Sequence, residues 1–224
     1  MRISEIFYSV QGEGGLLGMP SIFVRTTGCN LRCSWCDTPY TSWQPVGEDM
    51  SIADIEAACA QYSAARYVVL TGGEPMIAPT ITELASLFRG KGMHITIETA
   101  GTVFTPVECD LMSISPKLSN STPEGPFRNQ HERLRLNTDV LNRLTSTYDY
   151  QLKFVIAQPA DLTEAQIIIA AVNAPPDKVI LMPEGTKTEV LSERGPWVAE
   201  LCKQHGYRFS PRLHVHLYGN KRGT

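Results

Sequence analysis

Short runs rich in β-branched residues alternate with helix-like runs along the whole chain. The strand-type runs are SIFVRTT (21–27), RYVVL (66–70), HITIE (94–98), LMSIS (111–115), YQLKFVIA (150–157) and KVILM (178–182), with a further stretch near RFSPRLHVHLYG. Helical patterns begin with Ser51 ahead of IADIEAACAQY and with Thr80 ahead of ITELASLFRG, each a polar cap before an apolar-periodic run. Two more helices are expected after Leu134 and Leu162, the second with Asp161 as cap and Glu164 three residues on, in the manner of a capping box. A last helix is expected over about 188–205, broken or restarted at Gly195-Pro196 because proline cannot donate the helical hydrogen bond. This alternation predicts a mostly parallel sheet with crossover helices.

Two connections depart from the pattern. Only twelve residues separate Glu98 from Leu111, and they include Gly101 and Pro106, which leaves no room for a full crossover helix. Residues 116–133 are polar and turn-rich and are expected to form a long functional loop or cover. A chain of 224 residues is also short for a complete eightfold barrel. The expected fold is therefore α/β, an incomplete (β/α) barrel of about six parallel strands with reduced helices, in a single domain over residues 1–224.

Charge and composition narrow the function. With 20 Lys+Arg against 23 Asp+Glu the formal net charge is -3, which argues against a face built to grip nucleic acid. No apolar run approaches the roughly 18–20 residues that span a bilayer. The opening MRISEIFYSV carries acid and alternation where a secretion signal needs a basic start and an apolar block. A cytoplasmic protein without nucleic-acid or membrane partners is expected, and its six cysteines are expected to be reduced. Cys59, Cys109 and Cys202 fall in apolar stretches and read as small core residues.

Cys29, Cys33 and Cys36 are different: GCNLRCSWCDT has the spacing C-x3-C-x2-C directly after the first strand-type run. Three thiolates in one loop can hold three irons of a [4Fe–4S] cluster and leave the fourth open. Zinc is the alternative, although structural zinc usually takes four ligands in two pairs and no second pair follows here.

With Trp35 before the third cysteine and TGGEP (71–75) after the next strand, the chain resembles the radical S-adenosylmethionine (SAM) superfamily. Within it, SVQGEGGLLGMPSIFVRTTGCNLRCSWCDT, followed in order by VVLTGGEP, ITIETAG, SISPK and LKFVI, resembles the 7-carboxy-7-deazaguanine synthases across most of the chain. The resemblance implies a ring contraction of 6-carboxy-5,6,7,8-tetrahydropterin with loss of ammonia. SAM would be chelated on the open iron and cleaved to a 5′-deoxyadenosyl radical that takes hydrogen from the substrate. It further implies SAM as a regenerated cofactor, Mg2+ as an added requirement, a reductant such as flavodoxin, and a homodimer. A glycyl-radical activating enzyme shares the cysteine spacing, but the QGEG and CDT flanks suit a small carboxylated ring better.

The resemblance also assigns residues. Cys29, Cys33 and Cys36 are the cluster ligands, and no catalytic residue beyond the cofactor ligands is assigned. SAM contacts are implied for Trp35, Cys36, Asp37, Gly73, Glu74, Ser115, Pro116, Lys117 and the stretch Val155, Ile156, Ala157 and Gln158. Glu74 has the chemistry to pair with the SAM ammonium. Substrate contacts are implied for Val10, Gln11, Gly12, Glu13, Arg25 and Thr71: Gln11 or Glu13 can accept from the pyrimidine edge, and Arg25 offers a fork to the carboxylate. Without the resemblance, a mutual surface ion pair is the alternative for Glu13 and Arg25, and a solvated side chain the alternative for Lys117. Thr38 is the implied Mg2+ ligand, and on its own residue type an ordinary turn residue; a lone hydroxyl leaves most of the octahedron to water and substrate oxygens. The cluster-binding loop is 28–38. A closing segment is expected over about 207–224, with His214 or the Thr224 carboxylate as its contact.

Overall fold

In the computed structural model, which describes residues 1–224, the elements follow in the order β1 (Arg2–Val10), β2 (Pro20–Thr26), α1 (Pro39–Ser42), β3 (Glu48–Asp49), α2 (Ile52–Ala60), β4 (Tyr67–Gly72), α3 (Ile81–Gly90), β5 (His94–Thr99) and β6 (Leu111–Ile114). They continue with α4 (Arg128–Leu134), α5 (Thr138–Thr147), β7 (Tyr150–Ile156), α6 (Asp161–Ala171), β8 (Val179–Pro183), α7 (Thr188–His205), β9 (Arg208–Phe209) and α8 (Leu213–Tyr218). All nine strands form one sheet in the order β3-β1-β2-β4-β5-β6-β7-β8-β9. From β2 to β9 the pairing is parallel, and β1 lies antiparallel between β2 and β3. β3 and β9 end the order unpaired with each other, so the barrel is incomplete.

Strand periodicity explains how the sheet is buried. On the six long parallel strands one alternating set, including Val24, Leu70, Ile97, Ile114, Phe154 and Leu181, packs against Ile55, Phe88, Leu144, Ala165 and Val198 of the surrounding helices in one core. The opposite set carries Arg25, Thr71, Glu98, Ser113 and Lys153 and faces inward. Apolar filling on that side includes a cluster of Phe7, Phe23 and Val69, with the two rings stacked at 4.9 Å, and Val155 and Met182 at the cavity.

The loop between β1 and β2 completes the wall where strand pairing stops. Gly14 N donates to Ser210 Oγ (2.8 Å) and Gly15 N to Gln151 Oε1 (2.8 Å), which carries this loop across to β7 and the residues after β9. Gly14 has φ +77°, and a Cβ there would lie 2.4 Å from the Gln151 amide, so only glycine passes.

Several sequence expectations need correction. β1 lies outside the expected strands because its inward Glu5 and outward Tyr8 interrupt the apolar pattern. The stretch near 208–219 is not a strand: only Arg208–Phe209 pairs with β8, and after Pro211 the chain turns into α8. Residues 116–133 are not one open loop, since a 3-10 turn at Ser119–Ser121 and most of α4 lie there. Asp161 is the first residue of α6, not its cap; its carboxylate accepts from the amides of Ala157 (2.8 Å) and Gln158 (3.1 Å) and from Asn120 (2.7 Å). Glu164 is taken by Ser119 and Arg135, so no capping box forms there. The reciprocal box is instead on α2, between Ser51 and Asp54. Nor does Gly195-Pro196 break α7, which runs unbroken from Thr188 to His205. Pro196 and Ser192 are exposed, so water can serve the carbonyl that proline frees, while Leu191 and Val198 anchor the helix on either side. As expected, β5 reaches β6 without a helix, and no helix is long and apolar enough to cross a membrane.

Phe154 is fully buried between sheet and helices. Phe154→Ala is expected to cost about 3–5 kcal/mol, read as a lowered urea midpoint with an unchanged slope.

Candidate active site

The polar inner face of the sheet borders a cavity of about 260 Å3. Inward side chains of successive strands line it, among them Arg25, Thr71, Glu98, Ser113 and Lys153, and the loops leaving the strands at their carboxyl ends rim it. This is the end at which barrels of this class build their sites.

The loop after β2 brings Cys29, Cys33 and Cys36 to the cavity, all as free thiols. Its fit depends on the turn after β4. Glu74 N donates to Gly28 O (2.9 Å), and a Cβ on Gly73 would sit 2.2 Å from that same oxygen and 2.8 Å from Cys29 Cβ. The outer side of the loop rests on the segment after β6. Ser34 N donates to Ser121 O (2.8 Å) and Trp35 Nε1 to Asn120 O (2.9 Å). Arg32 N donates to His131 Nδ1 (3.1 Å), so the His131 proton sits on Nε2, 2.9 Å from Ser121 Oγ, which itself donates to Leu118 O. Burial holds His131 below its ordinary range, which keeps Nδ1 free to accept.

The thiols are suited to metal. Burial pushes Cys29 up to about 11 and Cys33 up to about 12, so each gives up a proton when it becomes a ligand. Leu31 N donates to Cys29 Sγ (3.4 Å). Neither these thiols nor any other three His, Cys, Asp or Glu side chains converge on a single ion position. Three thiols around one cavity wall fit an iron–sulfur cluster of several atoms, not tetrahedral zinc.

Across the cavity lies an ionic network. Lys153, almost wholly buried, places Nζ 3.0 Å from Glu13 and 3.4 Å from Glu98. Arg212 Nε donates to the other Glu13 oxygen (3.0 Å), Nη1 to Gly185 O (2.7 Å) and Nη2 to Asp37. Burial works to raise both carboxylic acids, but Lys153 and Arg212 outweigh it for Glu13, and Arg212 for Asp37, so both stay below the usual carboxylate range. His214 packs over Gly12, where a Cβ would lie 1.9 Å from its Nδ1, and burial keeps its ring below its ordinary range. Arg25 pairs through Nε with Glu5 (2.7 Å), not with Glu13, and its two terminal nitrogens have no protein partner. Glu5 also accepts from Tyr40 (2.9 Å) and Arg222 (3.2 Å), which draws the end of the chain over the cavity.

The cavity thus gathers Val10, Gln11, Gly12, Glu13, Arg25, Trp35, Asp37, Thr38, Thr71, Gly73, Ser115, Lys117 and Val155 together with the three cysteines. Gln11 donates to Ser21 (3.0 Å), and Thr38 stands two residues beyond Cys36 at the start of α1. Five of the residues singled out in the sequence do not line it. Glu74 is fully buried, with its carboxylate occupied by Thr99 Oγ1 (2.7 Å) and the amides of Ala100 (2.8 Å) and Met76 (3.1 Å). It organises the turn behind the glycines, with two donors on Oε1 and one on Oε2. Ile156 points into the core, opposite to Val155 on the same strand. Ala157 and Gln158 turn their amides to Asp161, and Pro116 is buried beneath the rim. Conversely, Glu5, Glu98, Lys153 and Arg212 escaped sequence reasoning. A lysine inside YQLKFVIA was a readable signal, because a charge in an otherwise apolar strand must face a partner; Arg212 gave none.

The residues matched by a family model, 23–127, carry the description Radical SAM superfamily. The chain is 44% identical to the 7-carboxy-7-deazaguanine synthase of Halobacterium salinarum, over 98% of this chain and 91% of that one. It is 42% identical to the enzyme of the same name from Rhodopirellula baltica, over 100% of this chain and 89% of that one. The crystal structure of QueE from Escherichia coli superposes with a TM-score of 0.71 at 26% identity, covering 95% of this chain and 94% of the other. The fold and the three-cysteine loop are those of a radical SAM enzyme, a class that works with a [4Fe–4S] cluster and SAM. Within that class the chain belongs to the 7-carboxy-7-deazaguanine synthase family.

Two outcomes follow from the packing and the charges. Gly73→Ala is expected to cost roughly 1–3 kcal/mol by overpacking against Gly28 and to lower the iron bound per chain after anaerobic reconstitution. Glu13 and Asp37 bind their protons more weakly folded than unfolded. Their contribution to stability is therefore complete above the ordinary values of 4.5 and 3.8 and is lost as the pH falls below them. Thermal melts of Glu13→Gln should show a smaller acid-side drop in Tm than the parent.

Proposed function

We propose that the protein contracts the ring of 6-carboxy-5,6,7,8-tetrahydropterin to 7-carboxy-7-deazaguanine with release of ammonia, SAM serving as a regenerated cofactor and Mg2+ as an added requirement. The observation that carries this reading is a single cavity shared by three cluster-type thiols on one wall and by Glu13, Arg25 and Lys153 on the other. The cluster and SAM, when bound, supply the carbon radical that takes hydrogen from the substrate. Everything else is the work of this chain's own side chains.

Glu13, kept ionised by Lys153 and Arg212, accepts hydrogen bonds from the donor-rich pyrimidine edge. Arg25, steadied through Nε by Glu5, turns its two free nitrogens to the substrate carboxylate as a fork. Val10, Gln11, Gly12 and Thr71 complete the substrate wall. Cys29, Cys33 and Cys36 hold the cluster. Trp35, Cys36, Asp37, Gly73, Ser115, Lys117 and Val155 face SAM, the Lys117 ammonium lying 5.8 Å from the Trp35 ring. Thr38 contributes one oxygen to Mg2+, the rest coming from water and substrate. Residues 1–224 act as one domain, with 28–38 as the cluster-binding loop and the segment from about 207 shutting water out. A one-electron reductant such as flavodoxin serves a homodimer in the cytoplasm.

Anaerobic turnover with dithionite, SAM, Mg2+ and the carboxy-tetrahydropterin, read by mass spectrometry, tests the reading. A product lighter than substrate by one ammonia, with SAM not consumed in proportion, is expected; 5′-deoxyadenosine accumulating without that product would overturn the substrate assignment. In the same assay Arg25→Ala should raise the substrate KM about 30-fold, near 2 kcal/mol, with SAM affinity unchanged.

A further inference from the structure

Arg212 is the residue on which three separate parts of the cavity wall meet. The residue is 7% exposed, and each of its three side-chain nitrogens goes to a different segment: Nε to Glu13 in the β1–β2 loop, Nη1 to the Gly185 carbonyl after β8, and Nη2 to Asp37 beside the third cysteine. The next residue extends the attachment, because Leu213 N donates to Gly12 O (2.8 Å) and His214 covers Gly12. A planar guanidinium with divergent donors can hold three directions at once, whereas a lysine ammonium on a flexible stem holds them poorly. The far end of the same segment is fastened differently: Arg222 pairs with Glu5 and Ser4 at the surface, 48% exposed, where an ion pair contributes little.

We propose that Arg212 is a positioning residue for the reaction assigned above, a buried post that seats the closing segment and fixes Glu13 and Asp37 in one geometry, while Arg222 is a clasp that lets the far end of the segment open and shut. The proposal rests on that reaction for its kinetic part only. By tying Glu13 on the substrate wall to Asp37 in the cluster-binding loop, one side chain sets the distance between the two halves of the site. The segment then opens from its Arg222 end, since releasing Arg212 would leave Asp37 without its cation and Glu13 with Lys153 alone.

The test compares Arg212→Gln, Arg212→Lys and Arg222→Gln as full-length, cluster-reconstituted proteins. Hydrogen exchange at residues 213–218 is followed by mass spectrometry, and the substrate KM is measured separately. Arg212→Gln should speed exchange at 213–218, raise the substrate KM by at least about tenfold and weaken SAM binding through the freed Asp37, with iron content unchanged. Arg212→Lys should restore less than half of each loss, and added guanidinium ion should restore part of the KM in Arg212→Gln. Arg222→Gln should speed exchange only beyond residue 218. Unchanged exchange at 213–218 in Arg212→Gln overturns the proposal, as does full rescue by Arg212→Lys. If the parent protein fails to turn over the pterin, the assigned reaction fails, and the exchange arm still decides the role of Arg212.

Discussion

Charges cannot be left unpaired inside a barrel, and that constraint organises the whole molecule. Glu5, Glu13, Asp37 and Glu98 face one cavity, and Arg25, Lys153, Arg212 and Arg222 are the cations that answer them. Only Lys153 and Arg25 are supplied by the strands of the parallel sheet. Arg212 comes from beyond the last strand, so neutralising Glu13 and Asp37 requires that part of the chain to lie across the cavity. The balance is also why Glu13 stays ionised in a buried place: two cations hold the carboxylate in a fixed orientation on the cavity wall.

The metal-side wall obeys a different constraint, backbone fit. Apart from the Asp37–Arg212 pair at its far end, the cysteine loop is held mainly where its backbone and Trp35 meet Gly28, Asn120, Ser121 and His131. A pair of glycines on one side and a neutral imidazole on the other leave the thiols at the cavity without any of them being spent on structure. Glu74 belongs to this scaffold, since three donors fold the turn behind the glycines around its carboxylate.

Much of this was legible in the residues. Alternating β-rich and helical runs gave the parallel sheet, and the short span from Glu98 to Leu111 gave its missing helix. C-x3-C-x2-C with TGGEP located the thiol wall, because both motifs are local and chemically demanding. What stayed hidden depends on distance along the chain. β1 carries mixed polarity because one of its faces looks into a charged cavity, so its pattern matches no ordinary strand. The straight run of α7 through Pro196 depends on which carbonyl happens to face water. The role of Glu74 in folding the turn shows only in its burial and its three donors. Arg212 sits in an unremarkable stretch and acquires its role only when residues 13, 37 and 185 are brought to it.

The attachment of the chain's end has a consequence for the order in which the protein is made. The cysteine loop meets its supports within the first 131 residues, whereas Glu13 waits for Arg212, 199 positions later, and Glu5 for Arg222, 217 positions later. A polypeptide synthesised from its amino end can therefore dock its thiols while the cavity is still open on the opposite side. Iron and sulfide can enter at that stage by a broad route, and arrival of the last dozen residues then narrows the same opening to the size of a small molecule.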